Sequence, residues 1–508
     1  LIDSFRCETF KFERCLSINV ALNIFRFCIM KLRVIFLFII SLLIFSCAPP
    51  RGEHGKTLIV FWDFPRLPLV RQWLEESIAR YEKEHPDVDI QYTCLSWSKG
   101  EERKAIAAFA YRPPDVSGAV LDLKYVQAKL LVPLDKYLDE KIPGDPQGRT
   151  FRQDIHPSIL RAVQWKGTTW AFPWYKEGMV MVCNTDIFKE RGVALPESGL
   201  WTWDEFIKKM KKLTFDHDGD GAIDVYGVGF NTGYEKWEAY PFLLGEGMKI
   251  LSEDGRKMVI DSAETRLGIR RLLEMEFNYK VSLPGAGGIQ DDATWTAFSG
   301  KQRRLAVTCQ GLWSLFAVKV QNERRLQFMK DHPRDEPPPP LNIAVVQFPQ
   351  MQGQPQIMAS YGVGSFMVFN HPEDQTRTEK AARFARWLTL EAGQEINREA
   401  GVLPSRIRYK DIFKGDTLYQ YIVNTIPDSI SPPSHPAWRN LDTLLSENLQ
   451  LALLRQVPDE NGKIINTDRK GPLNKSDERG VDTAVRRMQS TGQIILDAYW
   501  ESQGEKSD

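Results

Sequence analysis

Residues 216–224 (Asp-His-Asp-Gly-Asp-Gly-Ala-Ile-Asp) form the most specific local motif in the chain. Asp216, Asp218 and Asp220 fall at positions 1, 3 and 5 of a loop, and Gly221 at position 6 permits a sharp turn. Ala222 can offer its backbone carbonyl at position 7, and Asp224 supplies position 9. A hard cation that takes six to eight oxygens can gather them from such a short loop. Position 12 is Gly227, so the bidentate glutamate of an EF-hand is missing. Four acids so close together repel one another without a cation. The loop therefore reads as a structural calcium site or as an acidic surface turn.

Signatures of catalysis are absent by contrast. The seven histidines are scattered and no His-Glu-x-x-His run occurs, so a zinc hydrolase lacks its ligands. There is no Gly-x-Ser-x-Gly elbow and no complete phosphate-cradling loop ending in Lys-Ser/Thr. A glycoside hydrolase needs two suitably spaced carboxylates, and no such pair stands out. The chain is expected not to be an enzyme and to require no cofactor, with a structural calcium as one of the two readings of the acidic loop.

The 508 residues hold 66 Lys+Arg against 66 Asp+Glu, with 43% hydrophobic residues. That supplies a globular core of two to four structural units and no basic excess for nucleic acid. Residues 1–46 differ from the rest. Met30 is followed by Lys31 and Arg33, an apolar run over 34–45, then Ser46 and Cys47. The run suits a signal peptide and is too short to span a bilayer. Ser46-Cys47 resembles a bacterial lipobox, in which Cys47 would be lipidated; an uncleaved anchor helix is the alternative. Residues 1–46 read as upstream sequence plus signal peptide, and 47–56 as a tether. Cys94, Cys183 and Cys309 sit in apolar settings and are expected to be buried, without a thiol function.

Strand and helix patterns alternate after residue 57. Residues 57–62 read as a strand, 67–84 as a helix stopped by His85-Pro86, 89–95 as a strand, 101–109 as a helix and 115–121 as a strand. Further helices are expected at 203–213, 263–279, 293–300, 380–399 and 482–500, with strands at 341–347 and 365–369. Such alternation implies parallel sheets covered on both faces, with ligands beyond the strands' carboxyl ends.

Several short stretches then carry a family resemblance. They are Phe61-Trp62, Pro114-Asp115-Val116, the run 130–135, Gly167 to Trp174, and Asn184-Thr185-Asp186. After them come Trp201-Thr202-Trp203, Phe298-Ser299-Gly300, Gly311-Leu312-Trp313 and 401–406. In this order they resemble an extracellular solute-binding lipoprotein of an ABC sugar importer, related to maltodextrin-binding protein. The resemblance implies an α/β fold of the type II periplasmic-binding-protein kind. Two lobes, each a mainly parallel sheet flanked by helices, would enclose a cleft. Residues 57–170 and 349–400 would form one lobe, with 171–348 and 401–508 forming the other, and crossings near 171–173, 348–350 and 401. It also implies a sugar ligand, ABC permease subunits as partners, a monomer, and a lipid-anchored protein facing the periplasm or the outside. Truncated calcium loops like 216–224 occur in some polysaccharide-binding members.

A sugar presents flat C–H faces and a rim of hydroxyls, which call for aromatic platforms beside polar side chains. Given the fold, Trp62 and Asp63 end the first strand, Asp122 follows the third, and Trp174 and Glu177 lie at the first crossing. Trp313 falls where the family carries a sugar-stacking tryptophan, Trp295 opens the preceding helix, and Tyr361 lies before a late strand. Core packing is the competing reading for each tryptophan, and Trp201, Trp203 and Trp387 are assigned to the core. Another solute, such as a peptide, polyamine or phosphodiester, is the alternative cargo, and a secreted glycoside hydrolase the less favoured alternative function.

Overall fold

Thr202 opens the helix Trp203–Lys212 with a reciprocal cap: its hydroxyl accepts the Glu205 N–H, and the Glu205 carboxylate accepts the Thr202 N–H. Asn474 and Asp477 do the same for the helix Lys475–Ser502, which starts seven residues before the sequence pattern suggested. Pro68 stands at the start of the helix Pro68–Glu84, whose Val70, Leu74, Ile78 and Tyr81 are buried at the expected spacing. In this computed structural model residues 55–504 are described, except 233–235, 289–292, 333–338, 391, 420, 424, 427, 428 and 467–469. The signal-peptide run and Cys47 lie outside the described residues. The chain divides into two units, Leu1–Leu58 and Ile59–Asp508. Of the first, only 55–58 is described.

The strands, in chain order, are β1 (Thr57–Asp63), β2 (Val88–Cys94), β3 (Val116–Ala119), β4 (Gln164–Trp165), β5 (Thr168–Thr169) and β6 (Ala171–Glu177). They continue with β7 (Met179–Asn184), β8 (Tyr226–Gly229), β9 (Leu305–Gly311), β10 (Ile343–Val346), β11 (Gly362–Val368) and β12 (Leu403–Pro404). A six-stranded sheet runs β12-β6-β11-β3-β1-β2 and a four-stranded sheet runs β10-β7-β9-β8, while β4 and β5 make a small hairpin. β1 is parallel to β3 and β8 to β9. β11, however, is antiparallel to β3 and β6, β12 to β6, and β7 to β9 and β10. The sheets are thus mixed, not mainly parallel. β11, which arrives from the four-stranded sheet, enters against both β3 and β6.

The chain stays in the six-stranded sheet through Glu177 and passes to the other at Gly178, later than the expected 171–173. A Cβ at Gly178 would lie 2.9 Å from the Met358 sulfur, so a larger residue there would push the Met358 side chain aside. The chain returns between β10 and β11, and Leu403–Pro404 still belongs to the six-stranded sheet. After β12, Phe413, Tyr419, Ile422 and Ile426 pack on one face of the four-stranded sheet, and the helices Trp438–Leu453 and Lys475–Ser502 pack on the other. β7 displays that division: Met179, Met181 and Cys183 join one core while Val180 and Val182 join the other.

Three further expectations change. The helix expected over 263–279 is α-helical at Ala263–Leu273 and continues as a π-turn at Glu274–Asn278. The one expected over 380–399 is two helices, Gln375–Leu390 and Ile396–Ala400, with Gly393 between them at φ +92°. Cys183 and Cys309 are buried, but Cys94 is exposed at the end of β2. Trp201, Trp203 and Trp387 are core residues.

Candidate functional site

At the carboxyl end of β1, Trp62 is half-buried beneath the Arg103 guanidinium, 5.1 Å from the ring centre. Asp63 is fully buried and grips Arg66 through two hydrogen bonds of 2.8 and 3.0 Å. Arg66 also donates to the Tyr175 hydroxyl at 2.5 Å. Burial works against the Arg66 charge, yet Asp63 and Tyr175 outweigh it and hold the guanidinium more firmly protonated than usual. Gly118 makes room, because a Cβ there would collide with the Asp63 carboxylate. Trp174 is an extra residue in β6, at a bulge where Tyr175 faces Gly364 and Pro173 faces Ser365. It is 1% exposed, stacked on Trp73 at 5.4 Å and packed against Phe366.

The cleft roles expected for Trp174 and Asp63 are therefore corrected. Trp73, on the helix Pro68–Glu84, covers one, and Arg66 saturates the other. Neither offers a free face or a free oxygen rim to a ligand.

Glu177, Trp295, Trp313 and Tyr361 do come together, around Gly311 at the end of β9. A Cβ at Gly311 would stand 2.7 Å from Glu177 Oε1, 2.7 Å from Trp313 Cδ1 and 2.9 Å from Tyr361 Cε2. Glu177 Oε1 accepts the Trp313 N–H at 3.1 Å. The Trp313 and Trp295 rings are 5.3 Å apart and inclined by 59°. All four side chains are half-buried, so aromatic surface and a carboxylate remain within reach of solvent.

Trp237 was not foreseen here. It meets Tyr361 edge-on at 6.5 Å. Beside it, the buried Glu238 carboxylate accepts from Gln310 Nε2 at 2.8 Å and from the Asn231 N–H at 2.9 Å. Both lie just beyond the carboxyl end of β8, where a parallel pair makes ligand loops, and that rule was the available signal. Asp122 caps the helix Leu123–Gln127 and pairs with Lys124 at 2.7 Å. Arg439, from the helix Trp438–Leu453, approaches Asp122 at 3.5 Å and Glu101 at 3.4 Å. The Asp122 carboxylate is thus engaged by protein charges.

The acidic loop lies elsewhere, between Phe215 and Val225, which bridge to each other. Asp216, Asp218 and Asp224 each bring one carboxylate oxygen to within 4.8 Å of the others. Oxygens at 2.3–2.6 Å from one calcium can be up to about 5 Å apart, so the trio fits a hard cation. Asp220 is not part of the trio; it accepts the Ala222 N–H at 2.8 Å. The N–H groups of Gly221 and Gly219 hold the Asp216 carboxyl below the usual carboxylate range, which keeps it ionised for a metal.

A family model described as bacterial extracellular solute-binding protein matches residues 68–395. The chain belongs to that family. Members are classed as binding proteins rather than catalysts. An uncharacterized lipoprotein of Streptomyces antibioticus, from the oleD 5' region, is 24% identical over 186 residues, 35% of this chain; the match spans 38% of that lipoprotein's length. Among solved structures, a solute-binding protein of Thermotoga lettingae bound with α-D-tagatose is similar at 18% identity and TM-score 0.65, covering 87% of this chain and all of that one. An ABC substrate-binding protein of Listeria monocytogenes in complex with cycloalternan covers 89% of this chain and 100% of its own at 17% identity and TM-score 0.63. A maltose/maltodextrin-binding domain of Bdellovibrio bacteriovorus bound to maltotriose covers 85% and 99%, at 19% identity and TM-score 0.64. These likenesses establish the type II periplasmic-binding-protein-like fold for this solute-binding protein. No helix among the described residues is long and apolar enough to cross a membrane.

Proposed function

We propose that this family member captures a sugar or oligosaccharide and delivers it to the permease of an ABC importer. The convergence of Trp295, Trp313, Tyr361 and Glu177 around Gly311 carries that reading, because it supplies stacking faces and a hydroxyl acceptor at one place. Trp62 would extend the site from the six-stranded sheet. Similar folds bound to tagatose, cycloalternan and maltotriose favour the same ligand class. The two sheets with their helices would be the lobes, closing over the sugar about the passages at Gly178 and between β10 and β11. Lipidation at Cys47 would hold the protein, as a monomer, at the membrane on the periplasmic or outer side, in line with the lipoprotein relative. Asp216, Asp218 and Asp224, with the Ala222 carbonyl, would hold a structural calcium away from the sugar.

The test is a thermal-shift screen of residues 56–508 against mono- and oligosaccharides, with and without calcium. A ligand at 100 times its Kd adds about 2.7 kcal/mol to the folded state. One sugar class should raise Tm and be recovered uncut. Flat curves for every sugar would defeat the carbohydrate reading, and a cleaved sugar would defeat the transport reading.

A further inference from the structure

Three of the four most exposed large apolar side chains among the described residues lie within six positions: Ile106 at 65%, Phe109 at 52% and Tyr111 at 87%. Ile106 and Phe109 are three apart and share a face of the helix Trp97–Phe109. That helix ends in a Schellman turn. The Arg112 N–H donates to the Ala107 carbonyl at 2.9 Å, and the Tyr111 N–H to the Ala108 carbonyl at 3.2 Å. Glycine is the usual residue at the position Tyr111 holds, and Tyr111 adopts φ +57° there at a steric cost. A ring so exposed recovers almost none of that cost by packing within the fold.

The parallel pair β1 and β3 sets where this turn lies. Phe61 stands opposite Val116, and the Asp115 N–H donates to the Val60 carbonyl at 2.8 Å. The chain therefore enters both strands at one edge of the six-stranded sheet, and Tyr111 and Arg112 lead into β3 there. Lys129 belongs to the same edge: Leu131 bridges Phe369, whose N–H donates to the Asp115 carbonyl at 2.9 Å. Arg112 and Lys129 are exposed and make no ion pair among the described residues. Glu373 is exposed here too, 3.6 Å from His371, which itself reaches Asp115 at 2.9 Å. The charges are thus mixed, and the apolar trio is what distinguishes this edge. β6 is antiparallel to β11 and β11 to β3, so β6 runs with β3 and its last residue, Glu177, lies at the opposite edge.

We propose that Ile106, Phe109 and Tyr111 seat this edge in the headgroup boundary of the bilayer to which the chain is anchored. The proposal rests on the lipid-anchored reading above. The tether of residues 47–56 leads into β1 at this edge and can span at most about 35 Å, so this edge is the one held nearest the lipid. Aromatic rings and a branched alkyl side chain suit that boundary, and Arg112 and Lys129 can snorkel to lipid phosphates. Tethering raises the effective concentration of the patch at the surface, so a small apolar footprint suffices. Seated in this way, Glu177 and the aromatic cluster beside it face away from the membrane, open to arriving sugar.

The experiment uses residues 47–508 carrying Cys47→Ser and a leading hexahistidine tag in place of the lipid, held on phosphatidylcholine vesicles by a nickel-chelating lipid. Hydrogen exchange across 105–112 is compared with that of the same protein free in solution. It should slow by roughly threefold on the vesicles, as when two thirds of the molecules are seated. The stretch around Ile494, as exposed as Ile106 but on the helix Lys475–Ser502, should exchange alike in both states. Tyr111→Gly should keep or raise Tm, because glycine suits φ +57°, and together with Phe109→Ser it should abolish the slowing. Equal exchange of 105–112 on vesicles and in solution would overturn the proposal. So would slowing that survives in the double variant, or that affects both stretches alike. Slowing already present in solution, with a dimer in sedimentation, would give the face to a second copy instead. Because a tag and not a lipid holds the protein, none of these outcomes bears on lipidation, which the mass of the mature first peptide reports.

Discussion

Trp174 and Trp313 each stand near a carboxylate that presses against a glycine, Asp63 against Gly118 and Glu177 against Gly311. In the six-stranded sheet that grouping is sealed: Arg66 takes both Asp63 oxygens, Tyr175 takes Arg66, and Trp73 lies flat on Trp174. At the end of β9 the tryptophans are tilted against each other and half-buried, and Glu177, the last residue of β6, receives a backbone N–H. The same residue types make a structural clamp in one place and a candidate binding surface in the other. What separates them is a second ring parallel enough to cover the first: 15° between Trp73 and Trp174, 59° between Trp295 and Trp313.

The largest effect should come from breaking the sealed side. Trp174→Ala removes a fully buried indole and should cost about 3–5 kcal/mol, read from the urea midpoint; a loss below about 1 kcal/mol would mean the ring is not core. Asp63→Ala strands the Arg66 guanidinium and belongs in the same range, about 3–5 kcal/mol. Trp313→Ala, the matching change on the open side, should leave the unfolding midpoint nearly unchanged. It should instead weaken the sugar by about 30-fold, as loss of an interface anchor worth about 2 kcal/mol does. Unaltered affinity in calorimetry would remove Trp313 from the site.

His435 supplies an intermediate case, an ionisable ring closed in by Trp165, Tyr499 and Trp500. Burial pushes its pKa from 6.5 down to about 4. The unfolded chain then binds the proton more readily, so the stability contribution is complete above pH 6.5 and is lost as pH falls from there through about 4. Tm should decline over that window, and His435→Gln should flatten the decline; an equally steep variant would trace it to other groups. The smallest effect concerns the exposed loop. Calcium should stabilise the protein by about 1.4 kcal/mol at about ten times its Kd, and Asp218→Asn should abolish the gain. Equal calcium response in both proteins would leave 216–224 as an acidic turn.

Much of the fold was legible because burial on one face imposes a period. Val70, Leu74, Ile78 and Tyr81 announced their helix, and His85-Pro86 its end. The acidic loop was legible too, since its ligands are neighbours in the chain. Boundaries set by long-range contact were not. Nothing local marks Gly178 rather than Pro173 as the passage between sheets, because the choice depends on β11 and β12 pairing with β6. Gly393 breaks a helix that the apolar spacing alone would continue. For the site, the sequence supplied candidates and not their partners: Arg66, Trp73, Trp237 and Arg439 decide what Asp63, Trp174, Tyr361 and Asp122 can do.

By itself the sequence determined the family, the order of most strands and helices, and the spacing of the loop carboxylates, because each depends on residues close together in the chain. Only the tertiary structure decided which tryptophans are walls and which are surfaces. An indole behaves identically in both roles until the chain folds back and a ring, a guanidinium or solvent comes to lie against its face.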